Sequence, residues 1–223
     1  MRVVVFASGG GSNFQSLIDH FADGRAGVEV AGLVASRPGI GAIRRAEGAG
    51  IPVIFPGMRS TAEELDAGAL LARLRAIDTD LIVLAGYLRL VPVLVVREWW
   101  GRMINLHPAL LPAFGGEGMY GSRVHEAVVE AGARVTGVTV HFVDEAYDRG
   151  PIIAQWPAPV GGADSPADVA ARVLRIEHRL LPRIVEAIAR GEVVLERGTA
   201  RVRWSRPLFG GDEFATDGSP LAG

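Results

Sequence analysis

Short runs rich in apolar residues fall through the first half of the chain, at 3–7, 30–35, 53–55, 81–85 and 103–106. Each run predicts a strand buried on both faces. Longer helical patterns lie between them, near 14–21, 40–49, 62–77 and 92–99. Strands that alternate with helices predict an α/β fold with a mostly parallel central sheet and helices on both faces. Ligands of such sheets bind beyond the carboxyl ends of the strands. The segments to search for chemistry are therefore 8–13, 36–37, 86–89 and 105–112.

The pattern changes after residue 107. Residues 108–123 hold four glycines and two prolines and read as a loop. An alternating run at 135–143 predicts a strand, 151–158 its neighbour, and 144–150 their connection. A long amphipathic helix is expected from 165 to 190, with Ser165-Pro166 as its start and Gly191 as its stop. Pro182 inside it is expected to kink or divide it. Residues 193–204 suit a hairpin around Gly198, and 206–223 lack periodicity and read as a flexible tail. No boundary divides residues 1–205, which read as one domain. Trp99 and Trp100 follow an apolar helix and are expected to cover core rather than a subunit contact.

Composition removes whole classes of chemistry. All 23 basic residues are arginine, and cysteine is absent. Schiff-base lysines, thiolate nucleophiles and disulfides are therefore excluded. A net charge of −2 offers no global attraction to nucleic acid or anionic membrane. The apolar start is broken at Ser8-Gly9-Gly10-Gly11, too early for a signal segment, and no run is long enough to span a bilayer. A cytoplasmic protein is expected, with neither membrane nor nucleic acid as partner.

Ser8-Gly9-Gly10-Gly11-Ser12-Asn13 joins the first strand to the first helix. Glycines permit close backbone approach, and free N–H groups at a helix start attract anions. A phosphate on the amides of Gly11, Ser12 and Asn13 is one reading; a tight turn capped by Ser12 or Asn13 is the other. A dinucleotide fingerprint would need glycine at Phe14 and an acidic residue where Ser36-Arg37 stand. A Walker loop would need a lysine.

Asn105 and His107 lie two apart at the end of the fifth strand, so both face the same way. An asparagine amide can donate to a developing oxyanion, and a histidine can exchange a proton near neutral pH. The alternative is that the two tie down the following loop. Asp148 lies in the connection closed by Gly150-Pro151; on spacing alone it reads as a solvated acidic turn. Beside His107 it would favour the imidazolium and raise the ring's pKa. His125 and His141 are further candidates, but no His-Glu-x-x-His spacing exists and no metal is expected. His141, on an alternating strand, is expected to pack near the site, and His20 and His178 on the surface or between helices.

Four motifs together carry a resemblance: Ser8–Gln15, Leu84-Ala85-Gly86-Tyr87-Leu88-Arg89, Asn105-Leu106-His107-Pro108-Ala109-Leu110-Leu111-Pro112, and 144–151. In order and spacing they resemble the phosphoribosylglycinamide formyltransferase family, over about residues 1–205. The resemblance implies a Rossmann-like formyltransferase fold whose first half, 1–107, holds a nucleotide phosphate and whose second, 108–205, completes a folate site. It implies Asn105, His107 and Asp148 as catalytic residues and Gly11, Ser12 and Asn13 as phosphate ligands. Glu177 becomes a contact to the ribonucleotide; from composition alone it would be an ordinary polar position on the long helix. Leu88, Arg89, Leu90 and Val91, with Asp144, Asp148 and Asn105, become the folate-binding segments, and Arg59 the nearest candidate for a folate-contacting arginine. The stretch 113–121 departs from the family in being longer and glycine-rich.

The implied reaction moves a formyl group from the co-substrate 10-formyltetrahydrofolate to glycinamide ribonucleotide, in purine biosynthesis, by a monomer or homodimer. Rivals are another folate-dependent formyltransferase, a formyltetrahydrofolate hydrolase and a non-catalytic nucleotide-binding module. Length and slight acidity argue against a transferase acting on tRNA, and a binding module has no use for Asn105 and His107 together.

Overall fold

A computed structural model describes residues 1–56 and 66–203. Arg59, the start of the helix expected at 62–77, and the tail at 206–223 lie outside the described residues. Five strands run parallel in the order their apolar runs predict: β1 (Arg2–Ala7), β2 (Glu29–Ala35), β3 (Val53–Ile54), β4 (Leu81–Leu84) and β5 (Met103–His107). The helices between them are α1 (Ser12–Phe21), α2 (Gly41–Gly48), α3 (Ala67–Ala76) and α4 (Val93–Glu98). Then follow α5 (Ser122–Glu130), β6 (Val135–Phe142), β7 (Ile152–Pro159), α6 (Pro166–Ala189) and the hairpin β8 (Val193–Glu196) and β9 (Thr199–Val202).

The main sheet has the order β3-β2-β1-β4-β5-β6-β7. β6 and β7 are antiparallel additions to the parallel set. Side chains alternate across it, so each strand feeds two cores. Val3, Val5 and Ala7 join Phe14 and Leu17 of α1, Ala42 of α2 and the buried stripe of α6 on one face. Val4 and Phe6 join Leu70 and Leu74 of α3 and Val95 and Val96 of α4 on the other. Trp99 is buried in that second core, its indole N–H donating to the Thr79 carbonyl at 3.0 Å. Trp100 is instead half exposed, so only the first tryptophan of the pair covers core.

Two sequence expectations need correction. Residues 108–123 do not remain a loop to their end, because α5 begins at Ser122. Its three valines and nine-residue length hide it from a periodicity reading, and it forms because Val124, His125 and Val128 bury one face. Nor does Pro182 divide α6, which runs unbroken for 24 residues. A proline in a helix interior costs roughly 3 kcal/mol. Burial of Leu180, Leu181, Ile184 and Val185 around it contributes roughly 1.5–3 kcal/mol each, enough to hold the helix together. Among the described residues, no helix is long and apolar enough to cross a membrane.

α6 starts on a reciprocal cap. The Ser165 hydroxyl accepts from the Asp168 N–H, and the Asp168 carboxylate accepts from the Ser165 N–H at 2.9 Å. Ser165→Ala is expected to lower the unfolding free energy by about 1 kcal/mol in urea titrations. An unchanged midpoint would show that the cap does not hold the helix start.

Candidate active site

β5 is the last parallel strand, and its carboxyl end opens on a cavity of about 540 Å³ lined by Asn105 and His107. Because β6 returns antiparallel, it brings His141 directly opposite Asn105 and Thr139 opposite His107. The His141 Nδ1–H donates to the Phe142 carbonyl at 2.7 Å. Its Nε2 is thereby left to accept from the Asn105 amide at 3.1 Å. Thr139 anchors the segment after β5: its hydroxyl donates to the Ala109 carbonyl at 2.7 Å and accepts the Leu111 N–H at 3.0 Å. Sequence reasoning placed His141 near the site but did not see that it holds Asn105.

Asp148 enters from the connection between β6 and β7. Its backbone is left-handed (φ 54), unusual for an aspartate. Nearby Gly150 passes so close to Phe142 that a Cβ would lie 1.8 Å from the Phe142 carbonyl oxygen, which fixes the path of the loop. The Asp148 carboxylate accepts from the Asn105 amide at 3.2 Å and from the Gly116 N–H at 2.9 Å. It also lies 3.4 Å from His107 Nδ1 and 3.6 Å from His141 Nε2. The other nitrogen of His107, Nε2, meets the Phe114 carbonyl at 2.8 Å.

Electrostatics corrects one expectation. Burial pushes the His107 imidazole below the usual histidine range, more strongly than Asp148 and the Phe114 carbonyl pull it up. His107 therefore keeps an acceptor for each ring N–H while holding its second proton less tightly than an exposed histidine does. For Asp148, burial works to raise the pKa, but the His141 ring, the His107 charge and the Gly116 N–H together hold it below the ordinary value. Clustered amide and imidazole N–H groups suit an oxygen on which negative charge develops, and the histidine–carboxylate pair suits proton transfer.

The same cavity gathers residues far apart in sequence. Leu88, Arg89, Leu90 and Val91 form one wall, and Asp144 to Asp148 another. Asn13 and Glu177 line it together, with the Asn13 amide donating to Glu177 at 2.7 Å. Burial pushes the Glu177 carboxyl up to about 7, against that hydrogen bond. Asn13 is the second residue of α1, whose start has Gly11 at the cap position and no side-chain cap, so the reading of Ser12 or Asn13 as caps is not met. Gly11 and Ser12 lie at that helix start without lining the cavity. Gly11 has φ 75, and a Cβ there would meet Ala42 at 2.7 Å, whereas nothing of the protein would meet one at Gly9 or Gly10. Sequence reasoning did not anticipate His125, buried on α5, as part of the lining. The helix that carries it had no visible signal. Among the described residues, no group of three or more His, Cys, Asp or Glu is disposed to hold a metal ion.

Comparison with known proteins points the same way. The formyl transferase family pattern matches residues 1–185. The chloroplastic phosphoribosylglycinamide formyltransferase of Vigna unguiculata is 44% identical over 194 residues, covering 86% of this chain and 62% of its own. The Arabidopsis thaliana protein of the same name is 45% identical over 189 residues, covering 84% and 65%. The chain thus spans just under two thirds of the length of these two relatives. The crystal structure of phosphoribosylglycinamide formyltransferase from Anaplasma phagocytophilum superposes with a TM-score of 0.84 at 32% identity, covering 94% of this chain and 97% of that one.

The contact between Asp148 and His107 has a direct readout. Because the carboxylate raises the ring's pKa, Asp148→Asn is expected to move the His107 titration to lower pH, as followed by NMR of the imidazole. A titration that stays in place would mean that the two groups are not coupled.

Proposed function

The chain belongs to the formyl transferase family, and from that premise we propose that it transfers the formyl group of 10-formyltetrahydrofolate to the amine of glycinamide ribonucleotide. The products are formylglycinamide ribonucleotide and tetrahydrofolate, a step of purine biosynthesis. The observation that carries this reading is a single cavity joining Asn105, His107 and Asp148 to Asn13 and Glu177. One end offers groups for acyl transfer; the other offers a carboxylate for ribose hydroxyls beside an uncapped helix start for phosphate. The names of the relatives support the choice of substrates.

In this reading residues 1–107 hold the ribonucleotide phosphate, through Gly11, Ser12 and Asn13, and the half from 108 onward completes the folate site. Leu88 to Val91 and Asp144 to Asp148 flank the pterin. The amine attacks the formyl carbon, and the carbonyl electrons move to oxygen. Asn105 and His107 donate to that oxyanion; oxyanion donors of this kind contribute roughly 3–4 kcal/mol each. Turning toward it requires His107 Nε2 to leave the Phe114 carbonyl, and one Asn105 N–H to leave His141 or Asp148. Asp148 steadies the charged ring. As the bond from carbon to N10 breaks, the amine's proton passes to N10, and no covalent enzyme intermediate forms.

Incubation with glycinamide ribonucleotide and 10-formyltetrahydrofolate is expected to release tetrahydrofolate only when both are present. His107→Ala and Asp148→Asn are each expected to lower kcat by about a hundredfold or more, with smaller effects on either KM, and the double variant to be little worse than the single ones. Formate release without the amine would identify a hydrolase instead, and strictly additive losses would break up the proposed trio.

Glu177 gives the binding step a pH dependence. With its pKa raised to about 7, the carboxyl is protonated below that value and ionised above it. An ionised carboxylate accepts ribose hydroxyls better, so KM for the ribonucleotide is expected to fall roughly fivefold as pH rises from about 6 to 8. Glu177→Gln should flatten that dependence; an equal slope in the variant would assign it to another group.

A further inference from the structure

The loop between β1 and α1 rests on the start of α2, and the contact has a direction. The Gly9 carbonyl accepts the Ala42 N–H at 3.1 Å. The next carbonyl, of Gly10, accepts Nε–H of Arg45 at 2.8 Å, while Nη1 of the same guanidinium donates to Gln15 Oε1 at 3.2 Å. No space separates the two segments: a Cβ at Gly41 would lie 3.1 Å from Gly10, and one at Gly11 would lie 2.7 Å from Ala42. In a trans peptide the carbonyl and the following N–H point in opposite directions. With the Gly9 and Gly10 carbonyls both turned onto α2, the N–H groups of Gly10 and Gly11 face away from it. They add to the N–H groups of α1's uncapped first turn.

We propose that Arg45 is a positioning residue for phosphate binding: by holding the Gly10 carbonyl against α2, it presents the Gly11 N–H to the substrate's phosphate. Ala42 fixes the first peptide through backbone alone, so its hold is independent of side-chain identity. The second peptide depends on a side chain, and a guanidinium suits it because one planar group reaches the loop carbonyl and the α1 glutamine together. The bond is charge-assisted, and it polarises the peptide whose N–H it orients. Gln15 ties Arg45 to the helix that the loop opens, so loop and helix start move as one piece. Arg45 touches neither the amine nor the folate, and its action is confined to phosphate.

This inference rests on the functional reading above, and the test separates the two. Native protein, Arg45→Met and Arg45→Lys are titrated with inorganic phosphate, following the amide resonances of residues 10–13, and each is assayed for turnover. Phosphate affinity and the ribonucleotide KM are each expected to weaken about tenfold in both variants, the effect of one hydrogen bond to a charged group. The folate KM and kcat stay within about twofold of native, because nothing at the other end of the cavity changes. Lysine retains the charge but not the planar pair of donors, so native behaviour in Arg45→Lys would reduce the role to charge alone and overturn the proposal. Equal phosphate affinity in native protein and Arg45→Met would also overturn it, as would parallel loss of both KM values and kcat. The phosphate titration needs no turnover. An inactive native protein would therefore sink the functional reading while still leaving Arg45 judged on the loop amides.

Discussion

A carboxylate taken out of water must find replacements for its solvation, and at the mouth of this sheet Asp148 finds them from three directions. Asn105 reaches it from β5, Gly116 from the glycine-rich segment, and the His107 imidazole from 3.4 Å. An uncompensated buried charge would cost several kcal/mol. The path of the connection between β6 and β7 is set accordingly, including a left-handed aspartate that an open turn would not favour. The position of His107 follows from the same requirement, since a buried ring that loses its proton easily needs an acceptor on each nitrogen to be able to hold one.

The second carboxylate, Glu177, is solved differently. Burial leaves it with one donor, the Asn13 amide, and a pKa near neutrality. It is not stapled into a network but poised beside the start of α1. The long helix that bears it crosses the first core, and its buried stripe fixes the carboxylate's height above the sheet. Two acids in one cavity therefore differ in state: Asp148 is held ionised by several donors, whereas Glu177 has one donor and a pKa near neutrality.

Much of this was legible in the sequence, and the reasons are local. Val3 to Phe6 reads as a doubly buried strand because every position in it is apolar, as alternate side chains feeding two cores require, and Ser165-Pro166 marks its helix because capping is a short-range interaction. Asn105 and His107 could be paired because residues two apart on a strand share a face. The illegible parts are those decided at a distance. α5 is short and valine-rich, and only the core it joins makes it a helix. Asp148 looks like a solvated turn until β6 folds back beside β5, and it was found through the family's motifs. The balance between burial and charge at His107 depends on how deeply the ring sits, which no spacing records. Arg45 gave no signal, because its importance lies in a carbonyl 35 residues earlier in the chain.

The pairing of β5 with β6 has a consequence for folding fidelity. Asn105 faces His141 because the two strands align in one register out of several that would preserve the ladder of backbone hydrogen bonds. A slip by one residue would set Val140 or Phe142 against Asn105 and turn His141 to the opposite face. Such a species would keep its secondary structure while losing the amide's partner. The polar cluster thus acts as an alignment key between the last parallel strand and the first antiparallel one. Misaligned chains leave an imidazole unpaired in an apolar layer, a penalty that the hydrophobic pattern of the two strands would not impose with comparable selectivity.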